Sequence, residues 1–187
     1  VNQRKKLSDK GGKDCDVLVM SATPIPRTMM MTIYGDMDIS LIRSKPKNRL
    51  PIKTYSKNET KVNDVINFIK NEITKKNQIF WVCPLIKESK KMAHQSATEK
   101  YKYLRKIFKD KVDIVHGAMG KEERDRVLNK FKDRKIDILV STTVIEVGID
   151  FPNANVFVIE NSNKYGLSQL HQLRGRVGRG NKESSCI

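Results

Sequence analysis

The chain has 187 residues, of which 38 % are hydrophobic and 31 % are charged, a balance typical of soluble globular domains. It lacks the apolar run of roughly 18 residues that a membrane-spanning helix needs, and its start lacks the apolar core of a signal peptide. The net charge of +16 favours a polyanionic partner, above all nucleic acid, although abundant lysine also results from a biased genome composition.

Three cysteines, Cys15, Cys83 and Cys186, are spread along the chain. Their odd number and wide spacing fit neither a disulfide framework nor a zinc site. We therefore expect no bound metal and a cytoplasmic location. The chain begins at Val1 rather than at a methionine, which indicates a piece of a longer protein.

The first fifty residues carry one strand and one helix before a linker. The apolar VLVM at 17–20 predicts a strand, and residues 27–35 predict a short helix after the prolines of TPIPRT. The segment 43–53 is basic, contains two prolines and has no periodicity, so it is interpreted as a linker.

From residue 62 onward the pattern alternates between helices and strands. Apolar stripes at helical spacing predict helices at 62–73, 93–108 and 124–131 and a last one from near Gly166. Apolar runs predict strands at 78–83, 112–117, 136–142 and 155–161, with another beginning at 184–187. This alternation predicts a parallel α/β sheet with helices on both faces, in which Trp81 is a core residue.

Ligands of such sheets collect where the strands end, so the segments after the strands hold the candidate residues. The first is SATPIPRT at 21–28, where Ser21, Ala22 and Thr23 form a small-residue corner stiffened by two prolines. Another is His116-Gly117, which follows the strand at 112–117. Small and hydroxyl-bearing residues at these positions favour close approach to phosphates over a metal site or a hydrolase triad.

The second motif is STTVIEVGIDFPNA at 141–154. Thr142 and Thr143 end a strand with hydroxyl and amide groups that suit phosphate oxygens. Gly148 allows close approach, and Asp150 is placed to accept hydrogen bonds from a sugar hydroxyl or an arginine. Simple capping of the strand end is the alternative interpretation, since threonine and aspartate are common turn residues.

The third motif is GLSQLHQLRGRVGRG at 166–180. Arg176 and Arg179 carry permanent positive charges whose planar forks match phosphate oxygens, and the flanking glycines let the backbone approach a ligand. Gln169 and Gln172, on the preceding helix, are predicted to face inward. A solvated basic tail is the alternative.

In this order, the three motifs resemble motifs III, V and VI of superfamily 2 helicases, and TPIPRT and LHQLRGRVGRG are similar to the RecG-type ATP-dependent DNA helicases. The transcription-repair coupling factors are a close second possibility. A third, from another functional class, is a basic nucleic-acid-binding module without ATPase activity.

The resemblance implies two RecA-like lobes of the P-loop NTPase type that close over ATP. Residues 1–44 would be the tail of lobe 1, 45–52 a linker and 53–187 most of lobe 2. The sequence contains neither GxxxxGK[ST] nor DExx, so the P-loop and the acidic pair that holds Mg²⁺ would belong to lobe 1 upstream of Val1. The chain alone is therefore not expected to hydrolyse ATP.

By the same resemblance, Arg176 and Arg179 would be arginine fingers that reach the γ-phosphate of ATP, with Gln172 close by. Asp150 would contact the ribose or orient an arginine, and Gly148 would allow this approach.

The remaining candidates would hold DNA or transmit the state of ATP. Thr142, Thr143 and the amides of His116-Gly117 would grip the DNA backbone, and residues 21–23 would couple ATP to lobe movement. The implied function is ATP-driven translocation on double-stranded DNA that remodels stalled forks and branched junctions in bacterial repair and recombination. The partners would be forked DNA, lobe 1 and a wedge domain of the same protein, at the nucleoid.

Overall fold

A computed structural model of the chain describes residues 50–84, 90–142, 153–178, 180 and 182–187, together with residues 18, 20 and 40–42. Its contacts divide the chain into two compact units, Val1–Ile42 and Arg43–Ile187. The helix predicted at 27–35 lies outside the described residues. So does half of the strand predicted at 17–20, of which Leu18 and Met20 are exposed and belong to no regular element.

The elements described below all belong to the second unit. Its strands are β1 (Ile52–Thr54), β2 (Gln78–Cys83), β3 (Val112–Val115), β4 (Ile138–Thr142), β5 (Ala154–Ile159) and β6 (Ser184–Cys186). Its helices are α1 (Val62–Thr74), α2 (Lys90–Phe108), α3 (Lys121–Lys132) and α4 (Leu167–Arg174). Within the described residues, none of these helices has the length and apolar character that crossing a membrane requires.

These elements confirm the helices and strands predicted from residue 62 onward. One strand differs from the prediction, because Ile52–Thr54 form β1 although the sequence placed residues 43–53 in a linker. The strand is only three residues long and contains a lysine, so it lacks the apolar run by which the other strands were found. It is held by pairing with β6, which a local pattern does not reveal.

The six strands form one sheet in the order β1-β6-β5-β2-β4-β3. Each of the five neighbouring pairs is parallel. All strands therefore begin along one end of the sheet, called the amino edge here, and end along the opposite end, called the carboxyl edge. These edges differ from the lateral borders of the sheet, which β1 and β3 form. The parallel α/β fold predicted from the sequence is confirmed.

A hydrophobic core lies on each face of the sheet, and β2 contributes to both. Phe80 and Val82 belong to the core that α3 covers, whereas Ile79, Trp81 and Cys83 belong to the core that α1 and α2 cover. Successive side chains of a strand point to opposite faces, so one buried strand supplies both layers. Trp81 is 1 % exposed, which confirms its prediction as a core residue.

Strand β3 lies at one border of the sheet, where two backbone amides are satisfied within the chain. The amide of Ile114 donates to Oδ1 of Asp113 at 3.0 Å, and the amide of His116 donates to Sδ of Met119 at 3.4 Å. The other carboxylate oxygen of Asp113 accepts from Lys130 Nζ at 3.2 Å. Side chains of the chain itself thus accept hydrogen bonds from two backbone amides of this outermost strand and its continuation.

Buried amide side chains connect the elements at the amino edge. Nε2 of Gln78 donates to the backbone carbonyls of Phe131 at 2.6 Å and of Ile136 at 2.9 Å, which joins the start of β2 to the end of α3 and the approach to β4. Nδ2 of Asn155 donates to Oδ1 of Asn77 at 3.2 Å. Buried polar groups are costly unless they are hydrogen-bonded, so these bonds fix the loops that surround them.

Substitution of Gln78 by methionine tests this connection. Gln78→Met keeps the length of the side chain and removes both donors, so we expect a loss of about 1–3 kcal/mol in the free energy of unfolding. Urea denaturation followed by circular dichroism measures the change. Gln95→Met is the matched control, since Gln95 is exposed and its side chain donates to the nearby Glu99 on the same helix. Equal stability of the two variants would contradict this role of Gln78.

Candidate nucleotide and nucleic-acid interface

Three of the predicted DNA-contacting residues meet at the carboxyl edge. His116 and Gly117 follow β3, and Thr142 is the last residue of β4. Val115 pairs with Ser141 in the β3–β4 ladder, so His116 and Thr142 follow at the same level on neighbouring strands. His116 is half-buried and Gly117 is exposed.

The hydroxyl of Thr142 is buried, in contrast to the exposed group that phosphate contact requires. The residue is 1 % exposed, and its Oγ1 finds no hydrogen-bond partner among the described residues. An unsatisfied buried hydroxyl costs about 1–3 kcal/mol, a cost that an incoming ligand oxygen would relieve. Contact with a phosphate therefore requires the end of β4 to open.

Helix α4 carries the glutamines and leads to the arginines of the third motif. It packs on the core through Leu170 and Leu173. Gln169 and Gln172 are both exposed, so the expectation that they face inward is wrong. The helical period explains this, since leucines three residues apart take the inward face. Oε1 of Gln169 instead accepts a hydrogen bond from the amide of Gly166 at 3.1 Å, at the start of the helix.

The segment after α4 is anchored by Val177, whose side chain is fully buried in the core. Its neighbour Arg176 is half-buried, and the amide of Arg176 donates to the carbonyl of Leu173 at 3.1 Å. Gly178 has a left-handed backbone with φ +72°, and an added Cβ would lie 3.2 Å from Ile52 and 3.3 Å from Ser184. The motif thus runs close against the starts of β1 and β6.

The described candidates therefore form two groups rather than one cluster. Arg176 and Gln172 belong to the α4 segment, which reaches β1 and β6 near one lateral border of the sheet. His116, Gly117 and Thr142 follow β3 and β4, which lie at the opposite lateral border. The other predicted site residues lie outside the described residues: Ser21, Ala22, Thr23, Thr143, Gly148, Asp150 and Arg179.

An ion pair at the carboxyl edge was not predicted from the sequence. Nζ of Lys100, on α2, lies 2.6 Å from Oε1 of Glu160, which directly follows β5, and both side chains are about one-fifth exposed. Oε2 of Glu160 is 3.4 Å from Sγ of Cys83. Lys100 also lies 5.2 Å from the ring centre of Trp81, a cation–π contact. These contacts hold the turn between β5 and α4 against α2. Lys100 and Glu160 are sixty residues apart in the sequence, so no local pattern indicates their pairing.

A cleft of about 670 Å³ adjoins this ion pair at the carboxyl ends of β1, β6 and β5. Its walls include Lys57 and Glu59 before α1, Lys100 and Glu160, and Arg174 at the end of α4. Among the described residues, no group of three or more histidine, cysteine, aspartate or glutamate side chains is arranged to hold a metal ion.

Residues 60–181 match the family model of the helicase conserved C-terminal domain. The chain belongs to this family. The match includes both groups of candidate residues, so the helicase C-terminal domain contains the predicted nucleotide-contacting and DNA-contacting positions.

Among curated proteins, this helicase domain is similar over its whole length to the ATP-dependent DNA helicases RecG of Thermotoga maritima, at 51 % identity, and of Bacillus subtilis, at 47 %. It spans about a quarter of these relatives, 24 % and 28 % of their lengths. The match in Aquifex aeolicus, at 50 % identity and 24 % of that protein, is also named RecG.

Solved structures give the same relation. The structure of RecG bound to a three-way DNA junction matches 94 % of the present chain, with a TM-score of 0.73 and 50 % sequence identity. The match covers 23 % of the RecG chain in that structure. S. cerevisiae Dbp5 bound to RNA and ADP BeF3 matches all of the chain with a TM-score of 0.67, over 48 % of its own length. Its identity of 21 % shows a common fold alone.

The contact of Gly178 with β1 and β6 predicts that this glycine is required for stability. Gly178→Ala places a Cβ in a left-handed backbone and too close to Ile52 and Ser184, so we expect a loss of about 1–3 kcal/mol. Thermal unfolding measures it. Gly120→Ala is the control, because no atom of the described residues lies within 4 Å of its added Cβ and its φ is −60°. A Gly178→Ala variant as stable as this control would rule out the tight contact.

The buried thiols of Cys83 and Cys186 should resist alkylation in the folded chain. Burial raises the pKa of Cys186 to about 11, and burial together with the nearby Glu160 carboxylate raises the pKa of Cys83 well above its usual value. Only the thiolate reacts, so at pH 8 the reactive fraction of Cys186 is about one thousandth. In a Cys15→Ser background, iodoacetamide followed by mass spectrometry should label neither thiol until urea is added, and rapid labelling of the native chain would contradict the burial.

Proposed function

We propose that this chain is a motor lobe of a RecG-type ATP-dependent DNA helicase that translocates on double-stranded DNA and remodels stalled forks and branched junctions. The observation that carries the proposal is the 51 % identity to a RecG helicase over the full length of the chain. The match to RecG on a three-way junction supports branched DNA as the substrate. These relatives favour RecG over the transcription-repair coupling factors considered from the sequence.

Two roles are proposed for the segment at the end of α4. Arg176 and Arg179 act as arginine fingers that stabilise the charge developing on the γ-phosphate during hydrolysis, and Gln172 contacts the same phosphate group. The exposed position of Gln172 and the half-buried position of Arg176 on a firmly anchored turn support these roles. Asp150 contacts the ribose or orients an arginine, and Gly148 allows this close approach.

The nucleotide would be shared with lobe 1 of the same protein. The sequence contains no P-loop and no DExx motif, so the residues that bind Mg²⁺ and activate water would come from that lobe. The positive charge of the second lobe then acts on the phosphates across the cleft, and Ser21, Ala22 and Thr23 couple the bound nucleotide to lobe movement.

The DNA contact is proposed at the carboxyl edge, through His116, Gly117, Thr142 and Thr143. The adjacent positions of His116 and Thr142 support it, and the unsatisfied hydroxyl of Thr142 supplies a bonding group once the end of β4 opens. Contacts to phosphates carry no sequence information, so binding should be salt-dependent and weakly sequence-specific. A protein that remodels bacterial DNA in this way would act in the cytoplasm, at the nucleoid.

The proposal is tested on the full-length protein that contains this chain. Arg176→Ala should lower DNA-stimulated ATP hydrolysis and four-way-junction unwinding by about 10³-fold or more, because loss of an arginine finger typically costs 10³–10⁵ in rate. ATP binding, measured by equilibrium titration, should be largely retained, since the finger acts on the transition state.

Arg126→Ala is the control, because Arg126 is an exposed arginine in the middle of α3. It should retain both activities. If Arg176→Ala also retains both, the finger role is wrong. Absence of DNA-stimulated hydrolysis in the unaltered protein would refute the helicase function itself.

A further inference from the structure

The amino edge of the sheet carries a concentration of positive charge that the proposed sites do not use. The segments that precede β2, β3 and β4 are here called the basic strip; they are the loop 75–77, residues 109–111, and residues 132–137, which begin with the last residue of α3. They contain seven basic and three acidic side chains. Because these three strands are neighbours in the sheet, the loops lie side by side.

Basic residues occupy backbone positions in the strip that usually favour glycine or asparagine. Lys76 follows the end of α1 with φ 61°, and Arg134 follows the end of α3 with φ 58°. Lys109, which follows α2, has φ 55°. A left-handed backbone costs a residue with a Cβ about 1–2 kcal/mol, so stability does not explain three basic residues at these turns.

Hydrogen bonds hold the three loops in fixed relative positions. The amide of Asp137 donates to the carbonyl of Lys111, and the amide of Ile79 donates to the carbonyl of Asp137, each at 2.8 Å. Nδ2 of Asn77 donates to Oε2 of the buried Glu72 at 2.7 Å. The guanidinium of Arg134 donates to the side chain of Asn153, just before β5. The charges are therefore presented on a rigid frame.

Each acidic side chain of the strip already forms an ion pair with a basic side chain. Asp110 pairs with Arg105 at 3.7 Å, Asp133 with Lys135 at 3.7 Å and Asp137 with Lys111 at 3.8 Å. Four exposed bases have no acidic side chain within 4 Å in the part of the chain that the structure describes: Lys76, Lys109, Lys132 and Arg134.

The spacing of these bases suits a nucleic-acid backbone. Strands β5, β2, β4 and β3 are consecutive in the sheet, and neighbouring strands lie about 4.8 Å apart. From the Arg134–Asn153 contact before β5 to the Lys109 turn before β3, the strip spans roughly 14 Å. A DNA strand presents one phosphate per roughly 3.4 Å of helix axis, so a strip of this length can contact several phosphates of one backbone.

We propose that the basic strip binds the phosphate backbone of duplex DNA. The choice of ligand rests on the proposed function, and the inference extends it by giving one lobe a second DNA contact at the edge opposite His116, Gly117 and Thr142. The three loops contain no aromatic residue. Stacking on single-stranded bases depends on aromatic side chains, so the rigid strip favours the regular backbone of a duplex.

The test variant combines Lys76→Asn, Lys109→Asn and Arg134→Asn. Asparagine tolerates the left-handed backbone better than lysine or arginine, so the variant loses three charges without an expected loss of stability, which thermal unfolding verifies. The control combines Lys70→Gln, Lys102→Gln and Arg126→Gln. These exposed residues lie in the middles of the same three helices, α1, α2 and α3, and give the same change in net charge.

Binding of the 187-residue chain to a fluorescein-labelled blunt duplex is measured by anisotropy over a series of salt concentrations, without ATP. Loss of three phosphate contacts should reduce the slope of log K against log salt by about 2–3 and weaken binding at ~100 mM salt at least tenfold. The control triple variant should bind within about threefold of the unaltered chain.

Three results would overturn the proposal. The first is unchanged binding by the strip variant, and the second is an equal loss in the control, which would mean that net charge alone attracts DNA. The third is displacement of the duplex by polyglutamate at equal charge concentration, which would indicate an acidic protein partner. This binding measurement needs no ATP. It can therefore refute DNA binding by the strip while the helicase function of the full-length protein is retained. It can also support DNA binding by the strip if the helicase function is refuted.

Discussion

Burial of β2 on both faces is the constraint on which the second unit depends. All six residues of this strand are buried, and its alternating side chains belong to two separate cores. Its neighbours β5 and β4 lead to the α4 segment and to Thr142, respectively. Because one strand supports both layers, the segment after α4 and the carboxyl-edge residues rest on the same strand.

The two edges of the sheet differ in how their polar groups are satisfied. At the amino edge, Gln78, Asn77 and Asn155 have hydrogen-bond partners inside the protein, so the surrounding loops are fixed. At the carboxyl edge, Thr142 retains an unsatisfied hydroxyl within the described residues, and an ion pair joins Lys100 to Glu160. A completed network favours rigidity, whereas an incomplete one leaves bonding capacity for a ligand.

The sequence predicted those features that depend on neighbouring residues along the chain. The apolar run at 78–83 and the helical stripe of α1 needed no knowledge of the fold, because burial on both faces or on one stripe is visible in the residue pattern. The outward direction of Gln172 could also have been predicted from the spacing of Leu170 and Leu173. The strand β1 and the pairing of Lys100 with Glu160, in contrast, depend on the order of the strands and the packing of helices. Strand order follows from long-range contacts, so local patterns could not supply it. The same is true of the basic strip, whose bases come from three separate loops.

The two amides of β3 that side chains satisfy affect how this domain behaves at high concentration. An open border strand is a template on which a second chain can add its own strand, which leads to domain swapping or fibrils. Asp113 and Met119 occupy the amides of Ile114 and His116, so an incoming strand would have to displace them first. Two ordinary side chains thereby protect a parallel sheet against self-association at the border that adjoins the candidate DNA site.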